Sequence, residues 1–415
     1  MEQQTKNAPG ATGTEPKWTS SSKSGLGKSL NAGSDVAFTI SHGILNEVYY
    51  PKEDIACIRD MGLIVTDGKD FFSEEKRDTE HNIKMLKPGI PAYQIQNTCK
   101  ENKYQITKEI ITDPLRDTVL QKISFNPTQK KESLQLYVLL APHLNDQGAD
   151  NSGWIDEYKG VPMLFAKQGG ITLALACSSN FLKRSVGYVG ASDGWTDLHQ
   201  HKTMAWEYAN ANSGNIALTG EIDISENPEF VLALSFGKTQ DEAANQARAS
   251  LLEGFDSAKK RYMEEWETWQ KGLQKIPGQH FKVSAMVLRM HEAKKYPGGI
   301  IASLSIPWGE YKGDGDEGGY HVVWPRDLVE SSGGFRALRA KEDVARIVNY
   351  LMATQMTTVV GLRICGYRDP PIGRGCKWIR WPCPFWNCTN AIKTVLLIRP
   401  RWLGTGPWSK KLLLF

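Results

Sequence analysis

The chain has 415 residues and a formal net charge of +4, with 40% hydrophobic and 23% charged residues. This composition is typical of a folded globular protein and excludes a disordered, collagen-like or coiled-coil chain. The length allows two or three domains. The sequence contains no run of about eighteen apolar residues, so it predicts no membrane-spanning helix.

The positive charge is concentrated near the C-terminal end of the sequence. Residues 357–415 contain ten Lys or Arg residues and one acid, together with four of the seven cysteines and five of the thirteen tryptophans. The preceding part is therefore slightly acidic and has no basic stripe, which argues against a nucleic-acid partner. Its three cysteines, Cys57, Cys99 and Cys177, do not suggest a disulfide framework.

Residues 1–17 are polar and contain Pro9, Gly10 and Gly13. They lack the apolar core of a signal peptide, so the sequence as written predicts a cytoplasmic location. We expect these residues to form a flexible leader.

Residues 18–238 are predicted to form a β domain. Short runs rich in β-branched and aromatic residues recur between clusters of Asn, Gly, Pro and Asp, which favour turns. The clearest runs span residues 118–125, 134–140, 171–176, 215–224 and 230–236. Because helical periodicity is nearly absent, the pattern indicates a large antiparallel sandwich.

The pattern becomes helical at Thr239, which forms a predicted capping box with Glu242. Apolar residues then recur at steps of three and four, which predicts a connecting helix over residues 239–275. Further helices are predicted over residues 281–294 and 328–355, the second interrupted at Gly333 and Gly334. Residues 276–356 are therefore expected to begin an all-α domain, and the fold class is multi-domain β plus α.

The densest group of chemically active residues is Gly318–Asp327, with the sequence GGYHVVWPRD. Aromatic faces stack on the apolar face of a sugar ring, and planar charged groups bind its hydroxyls in pairs. The segment therefore suggests a sugar site beside a helix start. The alternative is a structural Arg326–Asp327 pair with Trp324 in the core.

The pattern Tyr320-x-x-x-Trp324-x-Arg326-Asp327, preceded by IASLSIPWG at residues 301–309, resembles glycoside hydrolase family 15, the glucoamylases and glucodextranases. Bacterial members carry an N-terminal β-super-sandwich, and LNEVYYP at 45–51 and DMGLIVTD at 60–67 are similar to that domain. The resemblance covers about residues 18–356. It implies an antiparallel β-super-sandwich followed by the first helices of an incomplete α/α toroid of the six-hairpin glycosidase type.

The resemblance also implies a function. Family members release glucose from the non-reducing ends of α-glucans with inversion, without a cofactor or metal, and are often secreted. The carried-over residues Tyr320, Trp324, Arg326 and Asp327 would line the pocket for the terminal glucose. An α-glucan or oligosaccharide is thus the expected ligand, with no nucleic acid or membrane partner, while the oligomeric state stays open.

Inverting glycosidases need one carboxylic acid and one carboxylate base. In the family both follow the Arg-Asp pair, but no family-like stretch follows Gln355, so we assign no catalytic residue and expect an inactive chain. Read one base out of register, residues 361–366, 372–379, 382–386 and 406–413 can encode family-like sequence in order. We therefore interpret residues 357–415 as an out-of-frame tail.

Two other functions stay open: a non-catalytic carbohydrate-binding fragment and a trehalase-like family member. Weaker signals receive structural interpretations. The pair His199 and His201 is expected on a strand, with a surface or sandwich role. The acids Asp314, Asp316 and Glu317 are expected in a solvated loop, and the helix acids Glu264, Glu265 and Glu267 on a solvated helix face. The tail cysteines Cys365, Cys376, Cys383 and Cys388 are interpreted as accidental products of the shifted frame. None has the spacing of a metal site.

Overall fold

The computed structural model describes residues 7–19, 22–128, 133–278, 280–304, 313–314 and 321–354. The chain divides into two compact units, Met1–Glu267 with Ser305–Gly318 and Thr268–Leu304 with Gly319–Phe415. The predicted tail, residues 357–415, lies outside the described residues.

The first unit is built from strands that all pair antiparallel. In chain order they are β1 (Gly25–Lys28), β2 (Ala37–Ser41), β3 (Ile44–Tyr49), β4 (Ala56–Thr66), β5 (Phe72–Glu74), β6 (Thr79–Met85), β7 (Tyr93–Cys99), β8 (Tyr104–Thr112), β9 (Thr118–Pro127), β10 (Gln135–Pro142), β11 (Asn151–Tyr158), β12 (Val161–Gln168), β13 (Ile171–Cys177), β14 (Phe181–Tyr188), β15 (Asn210–Gly214), β16 (Ile216–Ile222) and β17 (Glu229–Gly237).

The strands form two sheets. The first sheet has the order β1-β2-β3-β4-β10-β16-β14, with β5 paired to β4, and the second has the order β15-β11-β12-β13-β17-β9-β8-β7-β6. Apolar side chains from both sheets form one core, with Phe38 and Leu63 from the first and Ile106 and Leu175 from the second. The predicted antiparallel sandwich is therefore confirmed.

The helices are α1 (Glu75–Asp78), α2 (Gly194–His201), α3 (Gln240–Glu253), α4 (Phe255–Lys271), α5 (Phe281–Met290), α6 (Pro325–Ala337) and α7 (Lys341–Thr354). Helix α3 begins as predicted, because the Thr239 hydroxyl accepts the N–H of Glu242 at 3.2 Å. The Glu242 carboxylate accepts the N–H of Lys238 instead of that of Thr239. The helix packs on β13 and β17 through small side chains such as Ala243 and Ala247.

The structure differs from the flexible leader predicted for residues 1–17, because residues 8–14 bond to the sandwich. The Ala8 N–H donates to the Asn210 carbonyl at 2.8 Å, and the Thr14 N–H donates to the Val189 carbonyl at 3.0 Å. The Asn215 side chain donates to the Thr14 carbonyl at 2.9 Å. Backbone pairing needs no apolar pattern, so composition gave no sign of it.

The connecting helix predicted over residues 239–275 is two helices, α3 and α4, separated at Gly254. Polar side chains tie helix α4 to the sandwich, and three of them bond backbone groups there. Tyr262 donates to the Pro91 carbonyl at 2.9 Å, and the Trp266 indole donates to the Lys28 carbonyl at 3.1 Å. Glu265 accepts the N–H of Leu30 at 2.7 Å, so one of the predicted solvated acids is a structural anchor.

The helix predicted over residues 328–355 is also two helices, but its break is not at Gly333 and Gly334. Both glycines lie inside α6, and the chain turns at Leu338–Ala340 before α7. A Cβ atom on Gly334 would lie 2.8 Å from a methyl group of Leu288 in α5. This glycine therefore permits close packing of two helices and does not end one.

Candidate functional site

Helix α6 begins with three of the four residues predicted to bind sugar. Trp324 is the N-cap residue with an extended backbone, φ −91° and ψ 129°, and Pro325 occupies the first turn. Proline favours that position because it needs no N–H partner there. Arg326 and Asp327 follow in the first turn, and Tyr320 lies outside the described residues.

The side chains of this turn differ in exposure. Arg326 is exposed, whereas Trp324 and Asp327 are half-buried. The side chain of Leu328 is buried in the second unit. Its N–H donates to the Trp324 carbonyl at 2.9 Å, which is the first hydrogen bond of the helix. Trp324 is thus partly exposed, whereas the structural alternative expected it in the core.

The segment leading into α6 is held by backbone pairing. After α5 the chain reverses, with a β-bridge between Glu292 and Ile300. The N–H of Ile301 donates to the His291 carbonyl at 2.9 Å, and the N–H of Ala302 donates to the Val322 carbonyl at 3.2 Å. These bonds fix the backbone two residues before Trp324.

A buried ion cluster, missed by the sequence analysis, joins α5 to α7. The Glu292 carboxylate binds Arg346 twice, at 2.7 and 3.0 Å, and also pairs with Arg289. Asp343 lies 2.6 Å from Arg346 and accepts the Trp269 indole N–H at 3.2 Å. Burial, together with the nearby Arg346 charge, lowers the pKa of Arg289 to about 10, against the opposing effect of Asp343. Charge pairs this far apart in sequence leave no periodic signal.

Asp314 lies in the loop that precedes the glycine-rich motif, and it is bound within the first unit. Its Oδ2 atom accepts the N–H groups of Gly148 at 3.0 Å and Ala149 at 3.2 Å. Its Oδ1 atom lies 3.8 Å from Nε2 of His143. Asp314 is therefore a half-buried residue that anchors backbone groups, which corrects the expectation of a solvated loop at this position, while Asp316 and Glu317 lie outside the described residues.

The pair His199 and His201 lies in helix α2 and not on a strand, which corrects that expectation. The His199 ring stacks on Trp195 at 4.9 Å, and His201 bonds Asp197 at 2.7 Å. Within the described part of the chain, no group of three or more His, Cys, Asp or Glu residues could hold a metal ion. Among the same residues, no helix has the length and apolar character needed to cross a membrane.

Comparison with known proteins agrees with the fold described above. Residues 8–271 match the family model described as glucodextranase, domain N. A glucoamylase from Clostridium sp. (strain G0005) is 37% identical over 343 residues, which are 82% of this chain and 49% of that protein. A crystal structure of a bacterial glucoamylase complexed with acarbose is 35% identical, with a TM-score of 0.82, covering 84% of this chain and 52% of that one.

The sandwich and the helices after it thus define a glycoside hydrolase family 15-like protein, with a β-super-sandwich followed by helices of an α/α toroid. The chain belongs to the glucodextranase domain N family. It spans about half the length of the glucoamylases that it matches.

Proposed function

We propose that this chain binds the non-reducing terminal glucose of α-glucans, as glucoamylases and glucodextranases do. The placement of Trp324, Arg326 and Asp327 at the start of α6 carries the proposal. An indole that is half exposed can stack on a sugar ring, and the adjacent guanidinium and carboxylate can bind hydroxyls. The similarity to a glucoamylase that was crystallised with acarbose supports this ligand class.

The helix start also suits this role electrostatically. The N-terminal end of a helix favours acidic residues, so Asp327 occupies a position that suits its residue type, from which it can accept hydrogen bonds from sugar hydroxyls. The carry-over from the family adds Tyr320 as a fourth residue of the same pocket.

Binding is tested by calorimetric titration of the full chain with acarbose. Trp324→Ala, Arg326→Ala and Asp327→Asn are each expected to weaken binding about tenfold or more, because each removes a stacking or charged hydrogen-bonding group. Glu342→Gln is the matched control, because it also removes an exposed acid from the first turn of a helix, but of α7, and it should bind like the parent chain. Equal affinities for all four variants would overturn the assignment.

We further propose that the chain binds without hydrolysis. The support is that no family-like sequence follows Gln355, where the family carries its acid and base. General acid–base catalysis contributes roughly 10² to 10⁴ in rate, so its loss leaves little turnover. The purified chain should release no glucose from maltose, starch or dextran. Turnover that co-purifies with the chain and is lost in Asp327→Asn would contradict this proposal.

A further inference from the structure

A cavity of about 270 Å³ lies on the outer face of the first sheet. Along β4, Met61, Leu63 and Val65 enter the core of the sandwich. The alternate residues Asp60, Gly62 and Ile64 therefore face outward, and they line the cavity together with Leu139 and Ala141 of β10.

Two helix ends form the walls of this cavity. On one side lie Glu74, Lys76 and Arg77, at the start of α1. On the other side lie Trp195 and Thr196, in the first turn of α2, whose Leu198 packs on Ile64 and Tyr137 of the sheet. The pocket is thus bounded by regular elements on three sides, and its shape is set before any ligand arrives.

The polar groups of the lining are paired with one another. Asp60 accepts from the Arg59 guanidinium at 3.2 Å and from the Lys76 ammonium at 3.3 Å. Burial raises the pKa of Asp60, but these two cations lower it by more, to about 2, so the group is a carboxylate at neutral pH. Glu74 lies 3.4 Å from Arg77.

The balance of charge indicates what the cavity binds. Three cations, Arg59, Lys76 and Arg77, are matched by three carboxylates, those of Asp60, Glu74 and Asp193. A phosphate or a metal ion needs an excess of one sign, which this lining does not offer. A neutral ligand with many hydroxyls can use both kinds of group, since each hydroxyl donates one hydrogen bond and accepts others.

An aromatic ring stands fixed at the edge of the cavity. Trp195 stacks on His199 with 4.9 Å between ring centroids and 7° between planes, and its indole N–H donates to Glu74 at 3.0 Å. The Arg77 guanidinium lies 6.0 Å from the centre of the same ring, and this side chain is 65% exposed. Because His199 covers one face of this indole, a sugar ring would stack on the face beside the exposed Arg77 side chain, which the ligand would move aside.

We propose that this cavity is a second carbohydrate site, separate from α6, that binds one or two neutral sugar rings. Its volume lies just below the range of about 300–1,000 Å³ typical of small-molecule pockets, which limits the ligand to that size. The choice of an α-glucan as the probe rests on the proposed function, whereas the site itself rests on the lining.

The test is a calorimetric titration with maltotriose in the Arg326→Ala chain, so that the remaining binding reports the cavity. Arg59→Met and Trp195→Leu are each expected to weaken that binding about tenfold or more. Trp154→Leu is the matched control, because Trp154 also stacks on a ring, Phe165, at 5.4 Å and also has a cation nearby, but it lies in the second sheet. It should change the affinity less than twofold.

A measurement on the unsubstituted chain tests the second site even if one of the variants fails to fold. In the NMR spectrum, the indole N–H signal of Trp195 should shift on addition of maltotriose, while that of Trp154 should not. No shift at Trp195, or no binding left in the Arg326→Ala chain, would overturn the second site. Displacement of maltotriose by inorganic phosphate in the same chain would overturn it in favour of an anion site.

The results of these titrations distinguish the proposed glucose site at α6 from the proposed second site in the cavity. If Arg326→Ala leaves all binding intact and Arg59→Met removes it, the cavity is supported and the glucose site at α6 is wrong. If Arg326→Ala removes all binding, the glucose site stands and the cavity is not a sugar site.

Discussion

Replacing Glu75 by glutamine should destabilise the sandwich severely. Glu75 is fully buried and joins α1 to both sheets. Its Oε1 atom lies 2.7 Å from the Lys108 ammonium and 2.6 Å from the Asn97 amide, both in the second sheet. Its Oε2 atom accepts the N–H of Leu63 in the first sheet at 3.0 Å.

The magnitude follows from the burial of both charges. The side chains of Glu75 and Lys108 are 0% and 1% exposed, so water cannot replace the lost partner. Glu75→Gln keeps the size and one acceptor oxygen but leaves the Lys108 ammonium without its carboxylate. Removing one member of a buried ion pair costs about 3–5 kcal/mol. For a unit of this size we expect the melting temperature to fall by about 6–20 °C.

The assay is urea and thermal unfolding followed by circular dichroism. Lys108→Met added to Glu75→Gln should recover much of the loss, because an apolar replacement removes the unpaired charge. Asp256→Asn is the control, since Asp256 forms a 3.4 Å pair with Lys122 at the surface and should cost less than about 1 kcal/mol. A loss below about 1 kcal/mol for Glu75→Gln, or no recovery in the double variant, would refute this reasoning.

Three further predictions concern pH, backbone geometry and the gene. Burial and the Arg59 charge lower the pKa of His143 to about 3. The neutral imidazole should therefore contribute its full stabilisation of the fold above the unfolded pKa near 6.5, and this contribution should be lost as the pH falls toward 3. In urea titrations, His143→Gln should flatten the slope of the unfolding free energy against pH. Gly298→Ala should lower the unfolding free energy by more than about 2 kcal/mol, because Gly298 has φ +90° and a Cβ atom there would lie 2.0 Å from the Arg346 carbonyl oxygen. Gly272→Ala, where the nearest contact of a Cβ atom is 3.4 Å, should lower it much less in thermal melts. Adding one base between codons 355 and 358 of the coding DNA should open a long frame that begins Trp-Pro-Gln-Asn-Met-Trp and gains α-glucan hydrolysis, and a stop within a few codons would disprove the out-of-frame tail.

The sandwich could be predicted because buried and exposed residues alternate along its strands, and this alternation is visible in the sequence. In β7, for example, Tyr93, Ile95 and Cys99 are buried while Gln94 is exposed, which is the period of two that the sequence shows. The five runs named from the sequence correspond to β9, β10, β13, β16 and β17, with ends that shift by a few residues. Strand order, in contrast, depends on long-range pairing that no local pattern records.

The sequence predictions are wrong where a segment is held by its backbone groups or by a single polar side chain. Residues 8–14 attach through N–H and carbonyl groups, which every residue has, so their composition still suggested a loose leader. The low helix propensity of glycine predicts a break at Gly334, but the close approach of Leu288 explains this glycine instead. The acidic face of its helix predicts a solvated Glu265, and only its partners Leu30 and Asn31 show otherwise.

The candidate site also has a part that the sequence predicts and a part that it does not. The motif named Trp324, Arg326 and Asp327 correctly as residues at a helix start, because Pro325 and the acid mark that start locally. The sequence could not show what holds that helix, since the α5–α7 ion cluster joins residues more than fifty positions apart. Helix α6 packs against both α5 and α7, so the cluster joins the two elements between which this helix lies. The motif therefore identifies the candidate side chains, whereas the contacts that hold their helix come from residues distant in sequence.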